Sequence, residues 1–387
     1  MSALAVTHVV MLGLLLALAV QAVLNHRAWP RLGRCHGPSA TPSIAVLIPA
    51  RNEAGRIAVC LEKWATQRYP HHEVIVLDDA STDATRTEAL RAGRRYGHVR
   101  VIAGDPLPGA GWRGKTWACH GLRRATTAEI LVFADADVEP GPDTLTHTAA
   151  AFGALGADLV SAVPAHRSPS SAVRAVVALQ NWAPLVFIPF WARPWRRRPL
   201  LAAANGQFLA VRAAVYDASG GFGAVGTFLH EDVALARHLA GHGYEVRLLD
   251  GAEVLRCHPY RRFGELWRAN VRNLYPVLFS RLLVVALAVA GLAGLYLAPL
   301  GLLVVGFAGG ARASWIWTLL PMAELALGLL PRVLSDRRAG YAPWLASTHP
   351  LAVAALLAMS LESARLFCTG RDLEWRGRRY SVTDRAA

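Results

Sequence analysis

Between Ser43 and Val163 the chain alternates short apolar runs with segments patterned as helices. The strands read as "SIAVLIPA", "EVIVLDD", "VRVIAG", "EILVFADAD" and "ADLVSAV", and helices are expected over Glu53–Gln67, Thr82–Arg95, Lys115–Thr126 and from Asp143. Runs this apolar suit strands buried on both faces, and strands alternating with helices of about ten to fifteen residues argue for a parallel sheet. The expected fold is therefore α/β, a parallel Rossmann-like sheet with helices on both sides. In such sheets ligands collect beyond the carboxyl ends of the strands. Polar residues accumulate there: Arg51, Asn52 and Glu53 after the first strand, Asp78 and Asp79 after the second, Asp135 and Asp137 after the fourth. A single aspartate in that position commonly caps the next helix. Three acid-bearing or polar strand ends on one edge describe a site, and their carboxylates need a cation to compensate them.

The ends of the chain are different. Of 387 residues 53% are hydrophobic and 18% charged, and no charged residue occurs before Leu24. Such a run is long enough to cross about 30 Å of hydrocarbon. It lacks the basic start of a signal peptide, and no small-residue cleavage site precedes "NHRAWPRLGR". A retained anchor over residues 1–25 is expected. Two further spans are expected in Leu282–Ala311 and Ala313–Leu330, while Ala342–Phe367, with His349, Glu362 and Arg365, reads as a third span or an interfacial helix. The resulting organisation is an anchor (1–25), a catalytic domain (41–276), two or three membrane helices (282–368) and a basic tail (369–387). Ala172–Trp191 is apolar but carries Arg174, Gln180, Asn181 and two prolines, which suits a surface-lying helix or a buried core helix.

The net charge of +14 is distributed along the flanks of the apolar segments, at Arg27, Arg31 and Arg34, at Arg261, Arg262, Arg268, Arg272 and Arg281, and at Arg376, Arg378 and Arg379. That is the positive-inside pattern, placing the polar middle in the cytoplasm of a multi-pass protein of the cell membrane. It does not form the aromatic-interleaved face of a nucleic-acid binder. The five cysteines are odd in number and scattered, with no CxxC pair, so neither a disulfide framework nor a zinc site is indicated, which fits a reducing compartment. No obligate protein partner is implied.

No GxGxxG follows a strand and no Walker lysine motif occurs, so phosphates must be held by another device. Asp135 and Asp137 supply one, because two carboxylates at a strand end can bind a divalent cation that bridges diphosphate oxygens. Mg²⁺ or Mn²⁺ suits such hard oxygen ligands. Lys115, in "GWRGKTWA", reads either as an ammonium approaching a diphosphate or as a solvated lysine opening a helix.

"VLIPARNE", "VLDDASTDAT", "FADADV" and "HEDVALARHLAGHGY" together resemble the motifs of family-2 glycosyltransferases, inverting enzymes with the GT-A nucleotide-sugar fold. The likeness covers Ser43 to about Pro276. "GWRGKTWA", "YRRFGELWRANVRN" and "EWRGRRY" are similar to the membrane-bound bacterial branch containing hopanoid-associated and carotenoid (diaponeurosporenoate) glycosyltransferases. The resemblance implies that Pro49, Arg51 and Glu53 line the nucleotide pocket and that Asp79, with or without Asp78, faces the uracil of a UDP-sugar. It places Asp135 toward the ribose and the metal, has Asp137 ligate the metal, and makes Asp232 the base, with Glu231 beside it. Adjacent helical residues point about 100° apart, so one acid can face the sugar while the other turns aside. The plain alternative for this pair is a helix start decorated with acids. Gly220 and Gly221 permit a turn, Asn205 to Gln207 can touch sugar hydroxyls, and His230 and His258 read as metal-approaching or as packing residues.

Two departures matter. Processive relatives carry a QxxRW motif, absent here, which points to transfer of one or a few sugars. "CHPY" lacks the arginine that carotenoid-like relatives tend to have before the tyrosine. The expected reaction moves a sugar from a nucleotide-sugar donor to a membrane lipid such as a hopanoid or carotenoid. The alternatives are a polyprenyl-phosphate or glycerolipid acceptor, and a non-enzymatic membrane scaffold retaining the nucleotide fold.

Overall fold

The computed structural model describes residues 2–37, 41–109, 111–192, 199–278, 280–310, 314–370, 373–375 and 378–380; the rest of the expected basic tail lies outside the described residues. Two compact units emerge, one chiefly of Pro30–Arg167 and Ala192–Pro259, the other of Met1–Trp29, Ser168–Trp191 and Tyr260–Leu373. The second unit draws its helices from three separate parts of the chain, and residue 276 falls inside one of them.

In the α/β unit, strands β1 (Ile44–Ala50), β2 (His72–Asp78), β3 (Val99–Ala103) and β4 (Ile130–Ala134) alternate with helices α2 (Ile57–Ala65), α3 (Thr85–Gly93) and α4 (Gly114–Arg123). Then come β5 (Val138–Pro140), α5 (Thr144–Leu155), β6 (Leu159–Val163), β7 (Ala165–His166), β8 (Phe208–Arg212), α8 (Ala213–Ala218), α9 (Glu231–Gly241), β9 (Val246–Asp250) and β10 (Leu255–Cys257). Seven strands form one sheet in the order β3-β2-β1-β4-β8-β6-β9, and β5-β10-β7 form a small second sheet. Helices cover both faces of the large sheet. Val46, Ile48, Val132 and Phe208 pack with Trp64 on one side, and Leu47, Phe133 and Leu209 pack with Leu122 and Leu235 on the other.

The expectation of a parallel sheet needs one correction. β8 runs antiparallel to both β4 and β6. The chain enters β8 from Asn205–Gln207, which already lies at the carboxyl edge, where the Asp135 amide donates to the Gln207 carbonyl (3.2 Å). A strand starting from that edge can only run back. The reversal carries Asn205–Gln207 to the tip of β4.

The helical unit contains α1 (Ala3–Ala28), α6 (Ser171–Val177), α7 (Leu179–Phe187), α10 (Phe263–Val277), α11 (Leu282–Tyr296), α12 (Ala298–Ala308), α13 (Leu320–Ala339) and α14 (His349–Cys368). Ala3–Ala28, Trp315–Ala339 and Pro343–Cys368 are long and apolar enough to cross a membrane. The expected span over Leu282–Ala311 is instead two shorter helices divided at Leu297, with Pro299 placed in the first turn of α12, where a missing N–H costs little. Ala172–Trp191, for which the sequence allows a surface or a core helix, forms α6 and α7, whose Val173, Val176, Leu179, Trp182 and Leu185 are buried.

Several polar groups inside this unit meet partners. His8 Nδ1 lies 2.8 Å from Glu324 Oε1, linking α1 to α13. Arg332 Nε donates to both Asp336 oxygens at 2.8 and 2.9 Å, and Asn25 Nδ2 donates to the Leu185 and Ile188 carbonyls at 2.7 Å. Burying one charge without its partner costs several kcal/mol; Arg332 and Asp336 meet this need within α13, while the His8 and Asn25 contacts tie α1 to α13 and to the end of α7.

Candidate active site

The site is built at the carboxyl edge of the large sheet. β1 ends in Pro49 and Ala50, and Arg51 turns its guanidinium onto the carbonyls of Asp79 (2.5 Å) and Ala80 (2.9 Å), bracing the loop after β2. Asn52 takes a left-handed conformation (φ 53°), and the Glu53 amide donates to Thr85 Oγ1 at 2.7 Å. Asp78 and Asp79 are both buried and act differently. Asp78 Oδ1 accepts the Ser81 amide (3.4 Å), closing a turn. Asp79 lines a cavity of about 180 Å³ with Ile102, Gly104, Trp117, Gly121 and Arg124.

Two aromatic residues sit beside this cavity in the loop and first turns of α4. Trp112 and Trp117 meet edge to face with centroids 5.0 Å apart, and His120 packs against both. The same loop grips the turn that precedes α9. The Arg113 amide and Thr116 Oγ1 donate to the Gly226 carbonyl at 3.0 and 2.9 Å, and Arg113 Nε donates to the Thr227 carbonyl at 2.9 Å. Gly220 and Gly221 take positive φ values of 78° and 52°, and a Cβ on Gly221 would lie 2.2 Å from the Tyr216 ring, so only glycine fits.

The acids meet around Lys115. Its Nζ lies 2.7 Å from Asp135 Oδ1 and 3.1 Å from Glu231 Oε1, and it donates to the Gly206 carbonyl at 3.4 Å. Burial opposes the ammonium, but Asp135 and Glu231 outweigh it and raise its pKa. Asp135 is pushed up to about 6 by burial, with Lys115 pulling the other way. Asp232 is turned from this pair: its Oδ2 accepts the Gly206 amide (2.5 Å) and its Oδ1 the Val233 amide (2.8 Å). Burial, then the Glu231 charge, raises its pKa above the usual carboxylate value. A carboxylate so perturbed is a better proton acceptor than an exposed one.

Asp137 leads from β4 into β5. Its Oδ1 is buried without a hydrogen-bond partner, an unusual condition for a carboxylate oxygen and one a cation would relieve. Burial and the Asp137 charge hold the thiols of Cys60 and Cys257 protonated. Among the described residues no three His, Cys, Asp or Glu side chains converge on one point as a complete metal cage. A metal here would thus need ligands from the donor as well as from Asp135 and Asp137, and the hard oxygens on offer fit Mg²⁺ or Mn²⁺. The His258 amide donates to the Asp137 carbonyl (3.2 Å), while its ring lies 3.5 Å from Glu139. His230 occupies the cap position before α9.

Asn205–Gln207 are expected to touch sugar, yet Gln207 is occupied by His166 (2.8 Å) and Cys257 (2.9 Å), and Gly206 uses its backbone to fix Asp232 and Lys115. A glycine between two amides at a strand start is the signal the sequence offers for this.

Residues 45–210 match the family model described as Glycosyl transferase family 2. The chain is a glycosyltransferase, similar over this segment to family 2. The matched segment ends before Glu231 and Asp232, which the fold places beside Lys115 and Gly206. This glycosyltransferase is 27% identical over 241 residues to Glycosyltransferase AglE of Haloferax volcanii, covering 60% of this chain and 72% of that protein. It is 40% identical over 99 residues to the 4,4'-diaponeurosporenoate glycosyltransferase of Staphylococcus haemolyticus, but spans only 25% of that relative's length. The mannosyltransferase PcManGT from Pyrobaculum calidifontis, solved in complex with GDP-Man and Mn²⁺, superposes with a TM-score of 0.50 at 19% identity, covering 92% of this chain and 99% of that one. The fold is GT-A.

Gly206 gives a direct check of the geometry. A Cβ there would stand 3.1 Å from Asp232 Oδ2 and 3.3 Å from Lys115 Nζ. Gly206→Ala is expected to displace both groups and lower turnover by about tenfold or more, the scale seen when catalytic geometry slips. Thermal melting should change little, and steady-state kinetics at wild-type turnover would contradict this placement.

Proposed function

We propose that this glycosyltransferase moves a sugar, with inversion, from a UDP-linked donor to the hydroxyl of a membrane lipid such as a hopanoid or carotenoid, with help from a divalent metal. The observation that supports this reading is the difference in environment among the acids. Glu231 is engaged by Lys115, whereas Asp232 is held by two backbone amides and has a raised proton affinity. Asp232 takes the proton of the acceptor hydroxyl as that oxygen bonds to the anomeric carbon, and the bond from that carbon to the diphosphate oxygen breaks. Asp79 in its cavity serves the nucleobase, Pro49, Arg51 and Glu53 shape the wall beside it, and Asp78 supports the turn. Asp137 and Asp135 would hold Mg²⁺ or Mn²⁺, which supplies positive charge to the departing diphosphate.

The divalent metal is supported by the orphaned Asp137 oxygen and by the Mn²⁺ bound to the mannosyltransferase of similar fold. A membrane setting is supported by the three long apolar helices and by large apolar residues left exposed on them, among them Val9, Leu14 and Val20 of α1 and Leu351 of α14. The lipid acceptor rests on the local similarity to the diaponeurosporenoate glycosyltransferase. The α/β unit is proposed to face the cytoplasm.

Asp232→Asn should leave nucleotide affinity nearly unchanged and lower kcat by roughly 10²–10⁴-fold, the usual scale for a general base. Glu231→Gln should be milder. Since Asp232 works only as the anion, kcat/KM should fall as pH drops through its raised pKa, with the acid limb shifted upward from that of an exposed aspartate. Turnover of labelled UDP-sugars by membranes, followed by lipid extraction, measures all three effects; a more damaging Glu231 variant would reverse the assignment.

Asp137→Ala should abolish the strengthening of UDP binding by Mn²⁺. Calorimetric titration with and without the metal reads this directly, and an undiminished metal effect would exclude Asp137 as a ligand.

Topology can be read with one introduced thiol. Cys35, Cys60, Cys119 and Cys257 are buried and only Cys368 is exposed, so Thr87→Cys in a Cys368→Ser background offers a single accessible site in the α/β unit. In intact cells it should resist an impermeant maleimide and react after lysis. Ready labelling before lysis would place the unit outside.

A further inference from the structure

The Lys115 ammonium has three protons to donate and three acceptors around it: Asp135 Oδ1 at 2.7 Å, Glu231 Oε1 at 3.1 Å and the Gly206 carbonyl at 3.4 Å. Its hydrogen-bonding capacity is filled by the protein. One of those acceptors, Asp135, is also one of the two carboxylates suited to a divalent ion. The other, Asp137, presents its buried Oδ1 to no hydrogen-bond donor. The donor-free site is therefore unevenly compensated: a lysine satisfies the Asp135 side, and the Asp137 side is left wanting a cation.

We propose that Lys115 is a built-in counter-ion that competes with the divalent cation for Asp135, so that metal and nucleotide diphosphate bind as a pair. A metal arriving alone must draw Asp135 away from a half-buried ammonium, which is electrostatically costly in a site of low dielectric. A diphosphate changes the balance, because it brings anionic oxygens to which an ammonium can transfer its hydrogen bonds. Glu231 then holds Lys115 on the acceptor side of the site and leaves the proton transfer to Asp232. Coupling of this kind is reciprocal, each ligand tightening the other by the same factor. The inference rests on the glycosyltransferase reading for the identity of the diphosphate, but its central test needs only the metal.

The test is titration of the detergent-solubilised full chain with Mn²⁺, following the free ion by electron paramagnetic resonance, without nucleotide and then with UDP or GDP. The wild type should bind Mn²⁺ weakly alone and much more tightly with nucleotide. Lys115→Met should bind Mn²⁺ alone about tenfold or more tightly than the wild type, and the gain on adding nucleotide should shrink. Lys115→Arg, which keeps the positive charge, should show no such increase, and Lys115→Gln provides a second neutral variant if the methionine is not tolerated. Unchanged or weaker nucleotide-free Mn²⁺ affinity in a folded neutral variant would overturn the proposal, as would an equal increase in the arginine variant. Loss of fold in both neutral variants, with arginine tolerated, would make Lys115 a structural tie and also overturn it. If the wild type binds neither UDP nor GDP in the presence of Mn²⁺, the functional reading fails, while the Mn²⁺-only comparison still decides the role of Lys115.

Discussion

A largely parallel sheet that gathers its polar residues on one edge must manage the repulsion it creates there. In this chain Asp135, Asp137, Glu231 and Asp232 are brought to the same edge from two distant stretches of sequence, and a single lysine from the start of α4 spans two of them. The ammonium joins the tip of β4 to the first turn of α9. Gly206 completes the connection, because its carbonyl receives Lys115 while its amide fixes Asp232. Each acid consequently has a distinct environment, which is the condition for neighbouring carboxylates to take different roles at one pH.

Much of this arrangement is legible from residue patterns, and the parts that are not share a physical cause. β1, β2, β4 and β6 are written as continuous apolar runs, so their positions and the acids at their tips follow from local sequence. β8 is equally apolar, but its direction depends on where the preceding loop delivers the chain, a non-local fact. The pairing of Lys115 with Asp135 and Glu231 is hidden for the same reason: the sequence offers a diphosphate or solvent as its partner, and the fold supplies two carboxylates. Gly206 acts through its backbone, which residue identity does not advertise.

The helical unit illustrates a second limit. Composition marks its apolar runs, but the length of each helix is decided by backbone breaks such as that at Leu297 and by buried polar pairs. His8 with Glu324, and Arg332 with Asp336, would each count against a membrane helix in a hydropathy reading. In the folded unit they are complementary, since two polar groups that satisfy one another cost less than either alone.

The grip of the α4 loop on the turn before α9 has an evolutionary consequence. Gly226 has no room for a side chain, since a Cβ there would meet the Gly111 carbonyl and the Trp112 ring at 3.0 Å, and its own carbonyl is shared by Arg113 and Thr116. Neither stretch can drift alone. Residues 111–116 and 226–227 are expected to change in concert among descendants of this sequence, a tryptophan giving way only where the facing glycine also does, so that the pair is inherited as one unit although more than a hundred positions separate its halves.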